Sequence, residues 1–310
     1  AGHILGSAMV HLHVGNGLHN ILYSGDQKYG KTLLLDPAVT MFPRLETLLL
    51  ESTYGGKDAN MPERQSSDEE LNSIVKETVK RGGKILIPTL GVGRSQEIMI
   101  AIEQMIRTGV MEKIPVYIDG LIWDVTAIHT AYPEYLNNSI RKLIFHKDQN
   151  PFLSDIFKRV GSPEERRQVI EETGPCVVLA TSGMLQGGPS VEYLRHLAYN
   201  PKNSMIFVNY QGEGSLGRRI QRGEREYNVG GNGKNEVVQI KLEVHTVEGF
   251  SGHSSRNQLM NFVKNCDPRP KKVIVNHGES SRCLDLASSI HKNFRIETSA
   301  PRNLESVRIK

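Results

Sequence analysis

Four polar residues close apolar runs in this 310-residue chain: Asp26 after "ILYSG", Glu51 after "TLLL", His253 after "VEGFSG" and His277 after "KKVIVN". A fifth, His3, lies between glycines in "AGHILG". Strand ends are where sheet-built sites carry reactive groups, because the strand fixes position and the loop leaves the side chain accessible. Imidazole and carboxylate are good ligands for zinc or manganese, and one carboxylate can bridge two ions. Taken one at a time, each residue has an ordinary reading. A histidine in a glycine-flanked loop is commonly a surface group, Asp26 in "SGD" suits a turn, and Glu51 before "STYGG" suits a cap. The first four share a position type, and only a fold can bring them and His3 together.

Strands must hold those positions. Residues 10–51 read as a β-rich block: "VHLHV" alternates, "GNG" marks a tight turn and "LHNILYSGD" runs back as the partner strand. "KTLLLDP" and "LETLLLEST" are two further short apolar runs. After Gly56 the texture changes. Leu71, Ile74, Val75 and Val79 recur at helical spacing behind a Ser/Asp-rich start, and Arg-Gly-Gly closes the pattern. The strands "KILIP", "IPVYIDG", "GPCVVLATSGM" and "NSMIFVNYQ" then alternate with the helices "RSQEIMIAIEQMIRTG" and "SVEYLRHLAYN". That alternation implies parallel α/β layering. "RGEREYNVGGNGKNE" reads as a polar connector, followed by a strand pair in "EVVQIKLEVHTVEGF". A helix, a strand and a helix complete the chain: "SSRNQLMNFVKNC", "KKVIVNHGE" and "SRCLDLASSIHKNF". The expected organisation is one β-rich domain in two pieces, residues 1–54 and 236–310, interrupted by an α/β insert over 55–235.

Composition narrows the class only slightly. Hydrophobic residues make up 38% and charged residues 23%, enough for a real core in a chain of ordinary polarity. The net charge of +4 is mildly basic, compatible with nucleic acid but no proof of it. The three cysteines, Cys176, Cys266 and Cys283, form no CxxC pair, so neither a disulfide framework nor a cysteine zinc site is expected. A reducing cytoplasm fits this usage. No apolar run is long enough to span a bilayer as a helix.

Three glycine-rich segments in the insert are candidates for phosphate contact. "PTLGVGRSQEI" places Arg94 between a strand and a helix, "ATSGMLQGGPS" places Ser182 and Gly183 in a turn, and "NYQGEGSLGRRI" places Arg218 and Arg219 after a strand. Glycine lets backbone N–H groups approach an anion, and arginine adds a bidentate contact. The ordinary alternative is that these glycines only make tight turns. "GVGRSQE" lacks the spacing of a dinucleotide fingerprint, and no P-loop is present. Aromatic residues are only 6% and no RNP-like motif occurs, so base stacking is not the expected main readout.

The segments "AGHILGSAM", "YSGD", "LLLESTYGG", "GFSGHSS" and "VIVNHGE" fall in the order seen in the β-CASP branch of metallo-β-lactamase-fold nucleases. Over nearly its whole length the chain resembles the archaeal cleavage and polyadenylation specificity factor family. The resemblance implies an α/β protein with a metallo-β-lactamase fold, its N-terminal part missing, and an inserted parallel α/β β-CASP domain. It implies His3, Asp26 and His277 as zinc ligands, with Asp26 bridging two ions. It implies Glu51 and His253 as the pair that handles protons, His253 protonating the leaving 3′-oxygen. It further implies single-stranded RNA as substrate and a homodimer.

One departure is large. The family's HxHxDH signature is absent. "HLH" at His11 and His13 has no Asp-His behind it and lies in an alternating strand, so both point to one face as ordinary strand positions. The resemblance therefore suggests a fragment that begins just before its third metal motif. Three ligands shared by two zincs would leave both under-coordinated. This chain by itself is expected to hold a partial metal site or none and to be inactive, with the loop carrying His3 loosened. The competing readings are a non-catalytic RNA-binding or assembly subunit of the same fold and a hydrolase of small molecules.

Overall fold

The computed structural model describes residues 1–59, 61–229 and 236–309. They divide into two compact units, residues 1–61 with 252–310 and residues 62–251.

The first unit opens with the antiparallel pair Val10–Val14 (β1) and His19–Tyr23 (β2), joined by a Gly-Asn-Gly turn in which Asn16 takes φ 55°. Thr47–Glu51 (β3) then runs parallel to β2. The apolar run "KTLLLDP" is not a strand. Thr32 Oγ1 accepts from the backbone N–H of Leu34 and Leu35, and such local capture competes with a strand ladder. Leu34 and Leu35 are nonetheless buried.

The second unit follows along the chain. Arg64–Lys80 (α1) buries Leu71, Ile74, Val75 and Thr78, the i, i+3, i+4, i+7 stripe of an amphipathic helix. Ile85–Pro88 (β4) and Arg94–Arg107 (α2) come next. Val116–Asp119 (β5), Ile122–Ala131 (α3), a 3-10 turn over Pro133–Tyr135 and Asn138–Lys147 (α4) follow. Phe157–Val160 (β6), Pro163–Glu171 (α5), Val177–Ala180 (β7), Pro189–Leu197 (α6), Ser204–Phe207 (β8) and Leu216–Gln221 (α7) continue the alternation. Glu226–Val229 (β9) and Glu236–Gln239 (β10) pair as an antiparallel ribbon, so the segment read as a connector supplies a strand. Its residues 230–235 lie outside the described residues. Glu243–Thr246 (β11) joins the sheet beside β8.

That sheet is six-stranded and wholly parallel, in the order β11-β8-β4-β7-β5-β6. β4, β7 and β8 are buried throughout and almost wholly apolar, as a sheet covered on both faces requires. One face packs Leu86, Val178, Met205 and Phe207 against Tyr193, Leu194 and Leu197 of α6. Residues 236–251, expected to begin the returning piece of the first domain, thus belong with the second unit. β10 and β11 look like one strand pair in sequence, but each has its partner elsewhere.

The chain re-enters the first unit through Arg256–Asn265 (α8), whose start is closed by a Ser255–Gln258 capping box. Lys272–Asn276 (β12), Ser280–Phe294 (α9) and Glu297–Ser299 (β13) complete it. Its sheet order is β1-β2-β3-β12-β13. Leu22, Leu48, Leu50, Val273 and Val275 share one face and pack against Leu259 and Phe262 of α8 and Leu286 and Ile290 of α9. On the opposite face Val10, Leu12 and Val14 of the edge strand β1 are exposed. The tail "RNLESVRIK" forms no strand among residues 301–309.

Candidate functional site

The first unit brings together all five residues singled out at strand ends. β3 and β12 are parallel neighbours with Glu51 opposite Asn276, so Glu51 and His277 emerge side by side at the carboxyl end of the sheet. β2 ends three residues before Asp26 in the same direction. His277 takes φ 49° as the chain turns off β12, and its carbonyl accepts from the Ser52 N–H at 3.2 Å. The next residue must be small. A Cβ on Gly278 would lie 2.6 Å from the Ser52 carbonyl oxygen.

The loop carrying His3 is tightly held. The Ala1 ammonium donates to the Ser7 carbonyl, Ser7 Oγ accepts from the N–H groups of His3 and Ile4, and the Lys28 N–H donates to the Ala1 carbonyl. The expected loosening of this loop is therefore not seen. The His3 ring is also oriented: Nδ1 lies 2.8 Å from the Gly252 carbonyl, which can only accept, so Nδ1 carries the proton and Nε2 is the nitrogen that could ligate. His3 Nε2 faces Asp26 Oδ2 at 3.8 Å, while His277 Nε2 faces the other oxygen, Oδ1, at 3.1 Å. Each carboxylate oxygen of Asp26 thus has its own imidazole.

His253 stands beside them. Its ring centroid is 4.5 Å from that of His3 and 6.1 Å from that of His277. Its Nδ1 lies 2.9 Å from Glu51 Oε1 and 3.2 Å from Thr53 Oγ1. The Glu51 side chain is only 1% exposed. Burial alone would raise its pKa, but the His253 hydrogen bond and charge and the Thr53 N–H outweigh that and hold it below the ordinary carboxylate value. Glu51 is therefore ionised at neutral pH, and His253 donates from Nδ1.

The donor set fits a metal. One ligand atom from each of His3, Asp26 and His253 lies within 4.8 Å of the other two. The 3.8 Å His3–Asp26 separation is close to the edge of about 3.4 Å between two ligands at about 2.1 Å in tetrahedral geometry. His277, 57% exposed, completes the second oxygen's side. His11 and His13 do not contribute. Their rings lie 4.4 Å apart on β1, tilted by 50°, and His13 pairs with Asn20. Sequence reasoning missed two supports. Lys28 Nζ donates to the His253 carbonyl at 2.8 Å, and Thr53 braces the His253 ring. Thr53 lies in the motif "LLLESTYGG", whereas nothing in the sequence marks Lys28.

The glycine turns of the second unit all follow strands β4, β7 and β8 at the carboxyl edge of its sheet, where open α/β sheets bind ligands. Their candidate residues differ in what they present. Arg94 is a correction: it is 3% exposed, and its guanidinium donates to Glu97 at 2.8 Å and to the Phe250 carbonyl at 2.6 Å. Glu97 also pairs with Arg64 at 2.5 Å, which adds a partly exposed third member to the buried Arg94–Glu97 pair. Arg94→Ala is expected to cost about 3 kcal/mol of stability, as breaking a buried pair does, and to leave the salt dependence of RNA binding unchanged. A urea melt and an RNA titration of the variant check both halves.

Ser182 and Gly183 serve the turn itself. The Ser182 hydroxyl donates to the Gly187 carbonyl and accepts from the Gln186 N–H. A Cβ on Gly183 would lie 2.9 Å from the Leu90 nitrogen, so glycine is needed for close packing there. Arg219 pairs with Glu224 at 2.9 Å. The partly exposed Arg218 guanidinium has no partner among the described residues.

Comparison with known proteins identifies the family. Residues 95–220 match the Beta-Casp domain, and residues 237–301 match the Zn-dependent metallo-hydrolase RNA specificity domain. The whole chain is 55% identical to proteins named transcription termination factor FttA from Thermococcus kodakarensis and Methanocaldococcus jannaschii, covering 48% and 49% of their lengths. It is also 55% identical to the FttA of Lokiarchaeum sp., again over 49% of that protein. The chain spans about half the length of the curated relatives it matches. Together with the mixed α/β fold and its parallel sheets, the two domain matches place the chain in the β-CASP family of metallo-β-lactamase-fold proteins.

Proposed function

We propose that this chain forms part of a zinc-dependent ribonuclease that cuts single-stranded RNA during transcription termination, 3′-end processing or RNA decay. One observation carries the reading: the two oxygens of Asp26 each face a different imidazole, beside a histidine braced by a buried, ionised glutamate. His3, Asp26 and His277 are the residues that would hold metal. Bound zinc supplies Lewis acidity toward a phosphodiester and a nucleophilic water at neutral pH. The Glu51 carboxylate accepts from His253 Nδ1 and so fixes the orientation of that ring. His253 gives a proton from Nε2 to the departing 3′-oxygen, so the products are a 3′-hydroxyl and a 5′-phosphate. The proposal includes a cytoplasmic setting and a homodimer. The name of the relatives points to termination, and the RNA specificity domain points to RNA as ligand.

Zinc content and cleavage of end-labelled single-stranded RNA, measured on this chain and on a full-length relative, test the reading. Cleavage giving 5′-phosphate ends, lost on chelation and regained with zinc, supports it. Tight RNA binding without cleavage by either protein supports the alternative, a non-catalytic RNA-binding subunit.

Among the glycine-turn residues, Arg218 is the proposed phosphate ligand. Arg218→Ala is expected to lower the slope of log affinity against log salt by about 0.7, the value for one contact to a single strand. Arg219→Ala should change it less, because Glu224 already neutralises that cation. An unchanged slope in the Arg218 variant would remove Arg218 from the interface.

A further inference from the structure

The chain has 10 Tyr, 8 Phe and 1 Trp, and the described residues expose five of these rings: Tyr23, Tyr132, Tyr135, Phe145 and Tyr199. Three of the five fall within residues 132–145. Tyr135 is 68% exposed and Phe145 60%. Three exposed rings in one segment of 14 residues are a candidate interaction surface.

The local structure aligns these rings with positive charge. Ile128 and Tyr132 lie one turn apart at the end of α3, both exposed. The Tyr132 and Tyr135 rings are 6.5 Å apart across the 3-10 turn. On α4, Lys142, Phe145 and His146 occupy i, i+3 and i+4 and are all exposed, while Ile140 is buried. Within Asn138–Lys147 there are three fixed cations, Arg141, Lys142 and Lys147, and no acid. Arg141 donates to the Glu134 carbonyl, which neutralises nothing. Lys142 and Lys147 have no ion-pair partner among the described residues. The exposed acids Glu134 and Asp148 flank the helix at its two ends.

We propose that this face of the second unit, α3 to α4, is an exosite for single-stranded RNA. Tyr132, Tyr135 and Phe145 stack successive bases, and Arg141, Lys142 and Lys147 contact the phosphates between them. Every base has a π-face, so stacking tolerates any sequence, and interleaved cations track the backbone. The three cations of α4 exceed the two acids that flank it, and this net positive charge favours a polyanion over an apolar protein surface. The exosite uses none of the metal-centre residues and would hold a strand whether or not it is being cut. It rests on the RNA-directed reading above, and it revises the expectation that stacking plays no main part.

Fluorescence anisotropy with an unstructured labelled RNA of about 20 nucleotides tests it on the metal-free chain, so cleavage plays no part. The Tyr135→Ala/Phe145→Ala double variant is expected to weaken binding at least tenfold with an unchanged salt slope, since each stacked base contributes about 1–3 kcal/mol. Lys142→Ala/Lys147→Ala is expected to lower the slope by about 1.4, at about 0.7 per charge. Both pairs are exposed, and a melting curve checks the fold. If wild type and both variants bind RNA alike, the exosite is overturned while the RNA reading stands, and the rings belong to a protein interface. If the wild-type chain binds no RNA at low salt, both fail.

Discussion

Replacing His253 by Ala is expected to lower single-turnover RNA cleavage by about 10²–10⁴-fold, the usual worth of a positioned general acid, without changing the number of metal ions bound. The expectation follows from how the ring is braced. His3 presents its Nδ1 proton to a neutral carbonyl, whereas His253 presents its own to a carboxylate held ionised in a buried pocket. A carboxylate partner stabilises imidazolium far more than a carbonyl does, which suits a group that must carry and release a proton. Glu51→Gln should fall between wild type and His253→Ala. The amide oxygen can still accept from Nδ1, so the ring stays oriented, but the negative charge beside the ring is gone. A carboxylate–histidine pair also occurs behind metal ligands, and His253 lies within ligand distance of His3 and Asp26. Metal stoichiometry decides between the two roles. If it falls together with activity in His253→Ala, His253 is a ligand, and the proton must come from elsewhere.

Asp26, Glu51 and His277 are legible in sequence because they obey a local rule: each follows an apolar run, and the parallel strands β2, β3 and β12 send those ends to one edge, whereas His3 and His253 arrive there on loops. Their division of labour is not local. That Glu51 is buried while His277 is exposed depends on residues some 200 positions away. Arg94 fails for the same reason. Gly-x-Gly-Arg between a strand and a helix has the look of a phosphate turn, yet Phe250, distant in sequence, and Glu97 claim the guanidinium. Among the elements, periodicity finds α1, α2 and the buried strands, where pattern and length agree. It misreads "KTLLLDP", where one threonine hydroxyl captures two backbone N–H groups. It also leaves open which sheet residues 236–251 join, because a strand's texture does not say which partner it takes. The exposed rings at 132–145 escape a composition count, since 6% aromatic says nothing of where those rings face.

Asp26→Ala should have the larger effect on metal. If the carboxylate bridges, removing it weakens both ions at once, whereas His3→Ala and His277→Ala should each weaken one. The geometry supports this ordering, because Oδ2 belongs with His3 and Oδ1 with His277. Loss of partners one step behind a ligand already costs about 10–100-fold in metal affinity, so loss of the shared ligand itself should exceed about 100-fold. Asp26→Asn is the sharper probe. It keeps the shape and one acceptor oxygen but turns the other into an NH₂, which cannot ligate, so one of the two ions should be retained. The fold should tolerate both changes, since Asp26 is 38% exposed and a surface substitution usually moves stability by no more than about 0.5 kcal/mol. Cobalt titration followed by visible absorption, beside a melting curve without metal, reads site and fold separately. Wild-type affinity and stoichiometry in Asp26→Ala would strike Asp26 from the ligand set. His3 and His253 would then remain as the pair around which any metal must sit.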